Sequence, residues 1–225
     1  YIYVETPKVG CSTIKKILQT AEVNNDESRL PQDVHDRMNS PIPTMNGAPG
    51  QFRELLYNQE TFRFCFVRNP FSRVLSCYLD KFVKDEAEKG RLISQLDVPK
   101  HKDLSFTDFL NAISRQPDRE KNVHWVPQSF LLNPHSLKYD FIGRFETMSA
   151  DINYVIEALK LPVRSWQKNA PHATAAGSKL NRYYGRDEIR LVQEIYVEDF
   201  KSFGYGYYPN LAALEFSGWR QGNQF

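Results

Sequence analysis

The sequence predicts an α/β fold in which a central parallel sheet is flanked by helices. Short runs of β-branched and aromatic residues alternate along the chain with segments whose apolar residues recur every three or four positions. This alternation is typical of strands connected by helices, the arrangement that builds a parallel sheet. With 225 residues, of which 41% are hydrophobic, the chain can bury a substantial core, and we expect a single domain over residues 1–225.

A strand, a loop and a helix open the chain. Residues 1–4 are all β-branched or aromatic and predict a strand, and a loop with one proline and one glycine follows. Ile14, Ile17 and Leu18 then recur at helical spacing. Residues 21–49 are rich in Asn, Asp, Ser and Pro and predict a surface loop.

A second strand, loop and helix follow a short helix that we expect over residues 51–57. The run 62–67 predicts a strand, and Pro70 fits the first turn of the next helix, where a missing N–H costs nothing. The apolar residues of that helix recur with a period of about 3.6 residues. They are Phe71, Val74, Leu75, Tyr78, Leu79 and Phe82.

The rest of the chain continues the alternation. Residues 84–104 are charged and predict a loop, and Ser105 is placed to cap a helix that extends to about residue 114. Residues 139–145 predict a strand, residues 149–159 predict a helix, and residues 187–203 predict one amphipathic helix.

The loop after the first predicted strand has the parts of a phosphate-binding loop. Gly10 lets the backbone approach an anion, and the helix that follows offers unpaired N–H groups and the positive end of its dipole. Lys8 adds a cation, and Ser12 and Thr13 add hydroxyl donors. The spacing is not that of a Walker A loop, so an ordinary strand-to-helix turn with a solvated lysine is the alternative.

A second candidate anion-binding segment follows the strand at 62–67. Arg68 ends this strand, where an unpaired guanidinium is costly, and Ser76 lies eight residues later in the predicted helix. A planar guanidinium can bind two phosphate oxygens, whereas a pairing of Arg68 with a carboxylate is the alternative. In open α/β sheets, ligands bind beyond the carboxyl ends of the strands. The two segments therefore suit a nucleotide with phosphates at opposite ends of one ribose.

Charge and cysteine content argue against several other classes of protein. The formal net charge is +2, from 29 basic and 27 acidic residues, which argues against a nucleic-acid-binding protein. No run approaches the roughly 18 apolar residues needed to cross a bilayer. Cys11, Cys65 and Cys77 show neither disulfide-framework nor metal-ligand spacing, and the five histidines are scattered, so we expect no metal.

Ordered blocks of the chain resemble the sulfotransferase superfamily. Residues 6–13 are similar to its 5′-phosphosulfate loop, and residues 66–76, with the Arg and the Ser eight positions apart, are similar to its 3′-phosphate segment. Residues 122–128, 139–146 and 195–205 resemble the carbohydrate branch that includes the chondroitin 4-O-sulfotransferases. The blocks follow one another in the family's order.

The resemblance implies a sulfotransferase fold related to nucleotide kinases. It also implies transfer of a sulfuryl group from 3′-phosphoadenylyl sulfate to a hydroxyl of an acceptor, which we expect to be a carbohydrate. By position in the family motifs, Lys8 contacts the bridging oxygen and the sulfuryl group, while the backbone N–H of Cys11 matters more than its thiol. The residues expected to bind the donor are Lys8, Gly10, Cys11, Ser12 and Thr13 at the 5′-phosphosulfate, and Arg68 and Ser76 at the 3′-phosphate.

The acceptor hydroxyl needs a base, and we predict that His124 supplies it. Imidazole titrates near neutrality, and His124 lies in one of the blocks that carry the resemblance. A purely structural role for His124 stays open, and His172 and Glu5 are rival bases. The donor needs no metal bridge, so we expect activity in the presence of a chelator. A P-loop-like small-molecule kinase and a non-catalytic nucleotide-binding protein are the alternative functions.

The resemblance also bears on the compartment. Related eukaryotic enzymes often carry a cysteine pair just before the strand at 139–145, where this chain has Leu132 and His135. Because the absence of this pair suits a reducing compartment, we expect a cytoplasmic enzyme of bacterial type. A Golgi enzyme whose N-terminal anchor is absent from this chain is the alternative. No feature of the sequence indicates the oligomeric state.

Overall fold

The structure, a computed structural model, describes residues 1–45, 47, 49–98, 103–163 and 176–207. The chain forms two compact units. Among the described residues, unit one lies within 1–5, 9–66 and 138–163, and unit two lies within 6–8, 67–137 and 176–207.

The secondary structure follows the predicted alternation of strands and helices. The strands are β1 (Ile2–Val4), β2 (Arg63–Val67) and β3 (Phe141–Arg144). The helices are α1 (Cys11–Glu22), α2 (Pro49–Tyr57), α3 (Pro70–Tyr78), α4 (Glu86–Ile93), α5 (Phe106–Ser114), α6 (Gln128–Leu132), α7 (Met148–Ala158), α8 (Leu180–Tyr183), α9 (Arg186–Ile195) and α10 (Val197–Phe203). None of the helices in the described ranges is both long and apolar enough to cross a bilayer.

The three strands form one parallel sheet in the order β1-β2-β3. β1 pairs with β2 in parallel register, with Ile2 opposite Arg63 and Val4 opposite Cys65. The N–H of Asp140, just before β3, donates to the carbonyl of Arg63 at 2.8 Å. The predicted α/β class, with a central parallel sheet flanked by helices, is confirmed.

The core of unit one is apolar. Phe64 and Phe66 of β2 are fully buried and pack against side chains of α1 and α7. Gly143 of β3 lies so close to Phe66 that a Cβ there would be 2.5 Å from the ring, which explains a glycine inside a strand. The buried cluster contains Val9, Ile14, Ile17, Leu18, Phe64, Phe66, Met148, Ile152 and Val155.

Unit two contains most of the remaining helices, and two of them begin as predicted. Pro70 takes the first position of α3, and the side chain of Asn69 accepts a hydrogen bond from the N–H of Phe71 at 3.0 Å. Ser105 and Asp108 form a reciprocal capping box at the start of α5. The apolar stripe of α3 is buried, and a π-helical turn over Leu79–Lys84 continues the helix.

The prediction of a loop over residues 84–104 is wrong, because α4 (Glu86–Ile93) lies inside this range. Asp85 caps the helix by accepting a hydrogen bond from the N–H of Glu88 at 2.9 Å. Glu88 also pairs with Arg91 at 2.8 Å, one turn further along. The charged residues that suggested a loop therefore form the caps and ion pairs of a surface helix.

The prediction of one helix over residues 187–203 is also wrong. α9 ends at Ile195, Tyr196 leaves helical geometry with a ψ of 26°, and α10 begins at Val197. Tyr196 is buried, and its hydroxyl donates to the carbonyl of Trp125 at 2.7 Å. The apolar spacing continues through this break, so the pattern alone does not reveal it.

Cys65 and Cys77 are free cysteines buried in the interior. Burial raises the pKa of both thiols, that of Cys77 to about 12. Both thiols therefore stay protonated at physiological pH and are poor nucleophiles and metal ligands.

Candidate active site

The loop that carries Lys8 has an unusual backbone conformation in unit two. Lys8 has a φ of 69°, in the left-handed region that costs a residue with a side chain about 1–2 kcal/mol. Two arginines bind the neighbouring carbonyls. Arg68 Nη1 donates to the carbonyl of Lys8 at 3.1 Å, and Arg73 Nε donates to the carbonyl of Pro7 at 3.1 Å. These hydrogen bonds stabilise the strained turn and fix the backbone of Lys8.

The ammonium group of Lys8 pairs with Asp80, which lies just beyond α3. Its Nζ is 3.0 Å from Oδ2 of Asp80, and the two side chains remain 13% and 21% exposed. Lys81 Nζ lies 3.6 Å from the same oxygen, so two ammonium groups share one carboxylate. The pair gives the Lys8 ammonium a defined position while leaving it accessible to a ligand.

Arg68 follows β2 and is 6% exposed. Besides contacting Lys8, its guanidinium donates from Nε to Oγ of Ser72 at 2.9 Å. The side chain of Gln128 clamps the backbone of Arg68, accepting from its N–H at 2.9 Å and donating to its carbonyl at 2.8 Å. Ser76 lies one turn beyond Ser72 on α3 and is 3% exposed. The strand end and the start of α3 thus hold Arg68 against the Lys8 loop.

A buried carboxylate on α10 holds Gln128 in turn. Asp199 is fully buried and accepts hydrogen bonds from the backbone N–H groups of Gln128 and Ser129 at 2.9 and 2.7 Å. It also accepts from Nε2 of Gln128 at 3.2 Å. Three N–H donors replace water around the charge, as a buried carboxylate requires. α10 therefore fixes, through Gln128, the backbone from which the Arg68 side chain extends.

Asn122 orients His124. Its Oδ1 accepts a hydrogen bond from the backbone N–H of His124 at 3.0 Å and lies 2.6 Å from Nδ1 of the imidazole. Because a backbone N–H can only donate, the atom that it meets must be the amide oxygen, and the ring nitrogen facing that oxygen must carry the proton. Nε2 is then the acceptor of the neutral ring. Asn122 Nδ2 donates to Gln95 at 2.9 Å, which fixes the amide.

His124 is neutral at physiological pH. Burial, followed by the positive charges of Lys81, Lys8 and Arg73, lowers the pKa of His124 from 6.5 to about 4. The imidazole therefore keeps a free lone pair on Nε2, the atom that a general base needs.

In unit one, Gly10 is the N-cap of α1. Its φ of 86° is one that glycine adopts without strain. The helix has no side-chain cap and no acidic residue in its first turn, so its own sequence leaves the positive end of the dipole uncompensated. Cys11 begins the helix, the Ser12 hydroxyl lies 2.9 Å from Nε2 of His35, and the N–H of Thr13 donates to the carbonyl of Gly10.

Glu5, Cys11 and His35 cluster near the same helix start in unit one. Their ligand atoms lie within 4.8 Å of one another, a spacing that could hold a metal ion. However, Lys15 Nζ lies 2.7 Å from Oε2 of Glu5 and 3.2 Å from Nδ1 of His35. The ammonium already supplies the positive charge of this cluster. It also engages the carboxylate of Glu5, one of the rival bases.

The predicted site residues are divided between the two units. Those in unit two are Lys8, Arg68, Ser76 and His124, and those in unit one are Gly10, Cys11, Ser12 and Thr13. The rival base His172 lies outside the described residues.

Sequence reasoning missed four residues that organise the site in unit two. Arg73, Asn122, Gln128 and Asp199 all lie in the blocks that carried the family resemblance. Their positions within these blocks were the only sequence signal that could have marked them as site residues. Their partners were not evident, since most of them are backbone groups distant along the chain.

Comparisons with known proteins agree with the blocks. The family model described as "Sulfotransferase family" matches residues 1–206. Carbohydrate sulfotransferase 14 of Mus musculus is 29% identical over 221 residues, which cover 91% of this chain and 57% of the relative. Carbohydrate sulfotransferase 10 of Gallus gallus is 28% identical over 231 residues, which cover 91% and 63%. The chain thus spans less than two thirds of these relatives, and no solved structure matches it significantly.

Proposed function

Because the chain belongs to the sulfotransferase family, we propose that it transfers a sulfuryl group from 3′-phosphoadenylyl sulfate to a hydroxyl of a carbohydrate acceptor. The family match over residues 1–206 supports the reaction and the donor. The names of the curated relatives, carbohydrate sulfotransferases 14 and 10, support the acceptor class. We further propose that residues 1–225 act as one catalytic domain.

The contact between Lys8 and Arg68 is the observation that carries the proposal. Arg68 Nη1 donates to the carbonyl of Lys8 at 3.1 Å, so in unit two the second predicted anion-binding segment contacts the Lys8 end of the first. A doubly phosphorylated adenosine needs two such segments. In this proposal, Arg68 and Ser76 bind the 3′-phosphate. The 5′-phosphosulfate is bound by Lys8 together with Gly10, Cys11, Ser12 and Thr13.

The residues fit an anionic donor. The Lys8 side chain is a partly exposed cation, and the first turn of α1 contains no acidic residue. The Glu5 carboxylate near this helix start is paired with Lys15 at 2.7 Å. The Thr6 hydroxyl is buried beside Lys8 and has no hydrogen-bond partner among the described residues, so it remains able to donate. The donor, when bound, supplies the activated sulfuryl group, and the protein supplies charge, orientation and a base.

Lys8 and His124 have complementary roles in this mechanism. Negative charge grows on the leaving oxygen as the bond to sulfur breaks, and the Lys8 ammonium stabilises that charge. Nε2 of His124 accepts the proton of the attacking hydroxyl, while Asn122 holds the protonated Nδ1 on the other side of the ring. A pKa of about 4 makes His124 a weak base on its own. Negative phosphates nearby raise the pKa of an imidazole, so donor binding strengthens the base.

His124 is preferred over its rivals on geometric grounds. Its tautomer is set by Asn122, whereas the Glu5 carboxylate pairs with Lys15 at 2.7 Å. His172 lies outside the described residues and stays a rival. No metal has a role in this mechanism, so we expect turnover in the presence of EDTA.

The compartment and the finer identity of the acceptor are part of the proposal. Three free cysteines, with Leu132 and His135 at the positions of the family's cysteine pair, support a reducing compartment such as the cytoplasm. A Golgi enzyme is the alternative.

The basic residues of α4 pair with acidic neighbours, Lys89 with Glu86 at 3.4 Å, so this helix gives no support to a strongly anionic acceptor.

The proposal is tested by measuring sulfate transfer from labelled donor to a glycan panel, with and without substitutions. Lys8→Met and His124→Gln should each lower kcat by about 100-fold or more, while the melting temperature changes little. Lys201→Met is the matched control, because it removes an ammonium group that pairs with Glu198 at 2.9 Å on α10, is 61% exposed and has no assigned contact with the donor. It should retain kcat within about threefold. Full activity of Lys8→Met would refute the assigned role.

Thermal shifts separate the alternative functions. Adenosine 3′,5′-bisphosphate should stabilise a sulfotransferase, whereas a kinase should be stabilised by ATP with Mg²⁺. A protein that binds the bisphosphate but transfers no sulfate to any acceptor would be a non-catalytic binding protein.

A further inference from the structure

Arg73 on α3 is fully buried in unit two, and its guanidinium donates to three backbone carbonyls. Nε donates to Pro7 at 3.1 Å, Nη1 donates to Val126 at 2.8 Å, and Nη2 faces Val123 at 3.4 Å. These partners lie on two different segments, one before Lys8 and one around His124. A single planar side chain therefore cross-links the two segments.

Two of these carbonyls belong to the peptide groups that immediately precede the proposed catalytic residues. The carbonyl of Pro7 shares a rigid peptide plane with the nitrogen of Lys8, and the carbonyl of Val123 shares one with the nitrogen of His124. The second plane is also held from its other side, because the N–H of His124 donates to Asn122 at 3.0 Å. Arg73 thus fixes the orientation of both peptide groups.

We propose that Arg73 is a positioning residue that sets the separation between Lys8 and His124 during sulfuryl transfer. The inference rests on the proposed function, in which these residues act on the leaving oxygen and on the attacking hydroxyl. The two oxygens lie on opposite sides of the transferred group, so the spacing of the two side chains must match the reaction path. A misplacement of about 1 Å can cost about 100-fold in rate.

Lysine cannot replace arginine in this role. A lysine keeps the positive charge, but its single ammonium group cannot reproduce the fixed fork that reaches three carbonyls on two segments. Arg73→Lys therefore separates the geometric contribution of the side chain from its charge.

Arg63 in unit one provides a matched control. Its guanidinium also donates to three carbonyls, those of Thr61 at 3.1 Å, Leu56 at 2.8 Å and Asn58 at 2.7 Å. These bonds hold the connection between α2 and β2, which carries no proposed catalytic residue. Arg63→Lys therefore imposes a similar loss of backbone hydrogen bonds away from the catalytic residues.

The first experiment compares the kinetics of Arg73→Lys and Arg63→Lys with those of the wild-type protein. We expect similar decreases in melting temperature for both variants. Arg73→Lys should lose about 10- to 100-fold in kcat, with the affinity for adenosine 3′,5′-bisphosphate held within about threefold by calorimetry. Arg63→Lys should keep kcat within about threefold. Wild-type kcat in folded Arg73→Lys, or equal losses in the two variants, would overturn the proposal.

The second experiment needs no turnover. Burial is the main cause of the low pKa of His124, so a loosened segment should bring the pKa from about 4 towards 6.5 even though a lysine retains the charge. The ring signals of His124, assigned by their absence in His124→Gln, are followed by NMR titration. The pKa should rise in Arg73→Lys and stay unchanged in Arg63→Lys, and an unchanged value in Arg73→Lys would contradict the positioning role.

The two proposals fail in different ways. A wild-type protein that neither binds the bisphosphate nor transfers sulfate would refute the proposed function, and the titration would still report whether Arg73 orients His124. A wild-type enzyme that transfers sulfate, with an Arg73→Lys variant of equal kcat, would refute the positioning role alone.

Discussion

The two units differ in the charged side chains that they bury: among the described residues, the buried charged ones all lie in unit two. The core of unit one is a cluster of aliphatic and aromatic residues around Phe64 and Phe66. Unit two also buries many apolar residues, but within its interior lie three buried charged residues, Arg68, Arg73 and Asp199, each held by hydrogen bonds to backbone groups. Apolar burial is non-directional and mainly supplies stability, whereas buried hydrogen-bonded charges require defined geometry. The backbone segments that carry the proposed catalytic residues Lys8 and His124 are held by two of these buried charged residues, Arg68 and Arg73.

This contrast makes a testable distinction between substitutions. In unit one, truncating a side chain of the apolar core should lower the free energy of unfolding and leave the kinetics of the folded protein unchanged. In unit two, an isosteric polar change should affect catalysis and stability together, because a lost hydrogen bond also releases a backbone segment.

The largest expected effect on stability is in unit one. Phe66→Ala should lower the free energy of unfolding by about 3–5 kcal/mol, because it empties a fully buried ring site. Urea unfolding gives the value, with Phe66→Leu as a milder variant should the alanine form fail to fold. Tyr57→Ala is the control, since this side chain is 74% exposed and should change stability by less than about 0.5 kcal/mol. If folded Phe66→Ala had a reduced kcat, the proposed difference between substitutions in the two units would be wrong.

Asp199→Asn in unit two should cause a smaller loss of stability than Phe66→Ala, but it should also weaken ligand binding. An amide has the same shape, but its NH₂ group cannot accept, so at least one of the N–H donors that now meet the carboxylate loses its partner. The free energy of unfolding should fall by about 1–3 kcal/mol. The affinity for adenosine 3′,5′-bisphosphate should fall as well, because Gln128 no longer holds Arg68 firmly.

Asp187→Asn is the control for this substitution, because Asp187 is exposed on α9. Asp187→Asn should lower the free energy of unfolding by no more than about 1 kcal/mol, because Asp187 lies in the first turn of α9, and should leave the affinity for the bisphosphate unchanged. Calorimetric binding and urea unfolding of both variants provide the comparison. If Asp199→Asn lost stability but bound the bisphosphate as tightly as the wild type, Asp199 would have no role in positioning Arg68 for binding.

The titration of His124 should make a still smaller, pH-dependent contribution to the free energy of unfolding. Its pKa is about 4 in the folded protein and about 6.5 once the chain is unfolded, so between these values the unfolded chain binds more protons. The stability contribution of the neutral ring is complete above about pH 6.5 and is lost as the pH falls towards 4. The slope cannot exceed about 1.4 kcal/mol per pH unit, and partial exposure makes it smaller.

The pH effect is measured as a difference between two proteins. Urea unfolding of the wild type and of His124→Gln between about pH 4.5 and 8 cancels the contribution of the carboxylates. The advantage of the wild type should shrink below about pH 6.5. Parallel curves over the whole range would show that the imidazole is not desolvated as described.

The smallest effect concerns two buried threonines, one in each unit. The hydroxyls of Thr6 and Thr61 are buried and have no hydrogen-bond partner among the described residues. Replacing either by valine removes an unsatisfied polar group of similar shape, so the free energy of unfolding should change by less than about 0.5 kcal/mol or rise. A loss above about 1 kcal/mol for Thr6→Val alone would reveal an interaction in unit two that the present contacts do not include.

Local structure could be predicted from the sequence where a rule depends on neighbouring residues. The start of α3 follows from Asn69 and Pro70, and the start of α5 follows from Ser105 with Asp108. α4 was missed because its charged residues fit both a loop and a surface helix. The break at Tyr196 was missed because its partner, the carbonyl of Trp125, is distant along the chain.

The candidate site could be predicted only in part. Lys8, Arg68 and His124 were identified by residue type and by resemblance, and their roles remain predictions. Arg73 was not identified, because its partners Pro7 and Val123 lie 66 and 50 positions away. No periodicity or spacing encodes hydrogen bonds between a side chain and distant carbonyls. Such contacts require the folded backbone.

The separation between Lys8 and Asp199 along the chain has a consequence for biosynthesis. Its hydrogen bond to Gln128 spans 71 positions, and chains leave the ribosome from the N-terminus at about 5–20 residues per second. The Lys8 loop therefore emerges many seconds before the carboxylate that completes the clamp on Arg68. A nascent chain without α10 lacks that clamp. Catalytic competence consequently requires the synthesis of α10, and a product terminated before Asp199 should be inactive even where its sheet has formed.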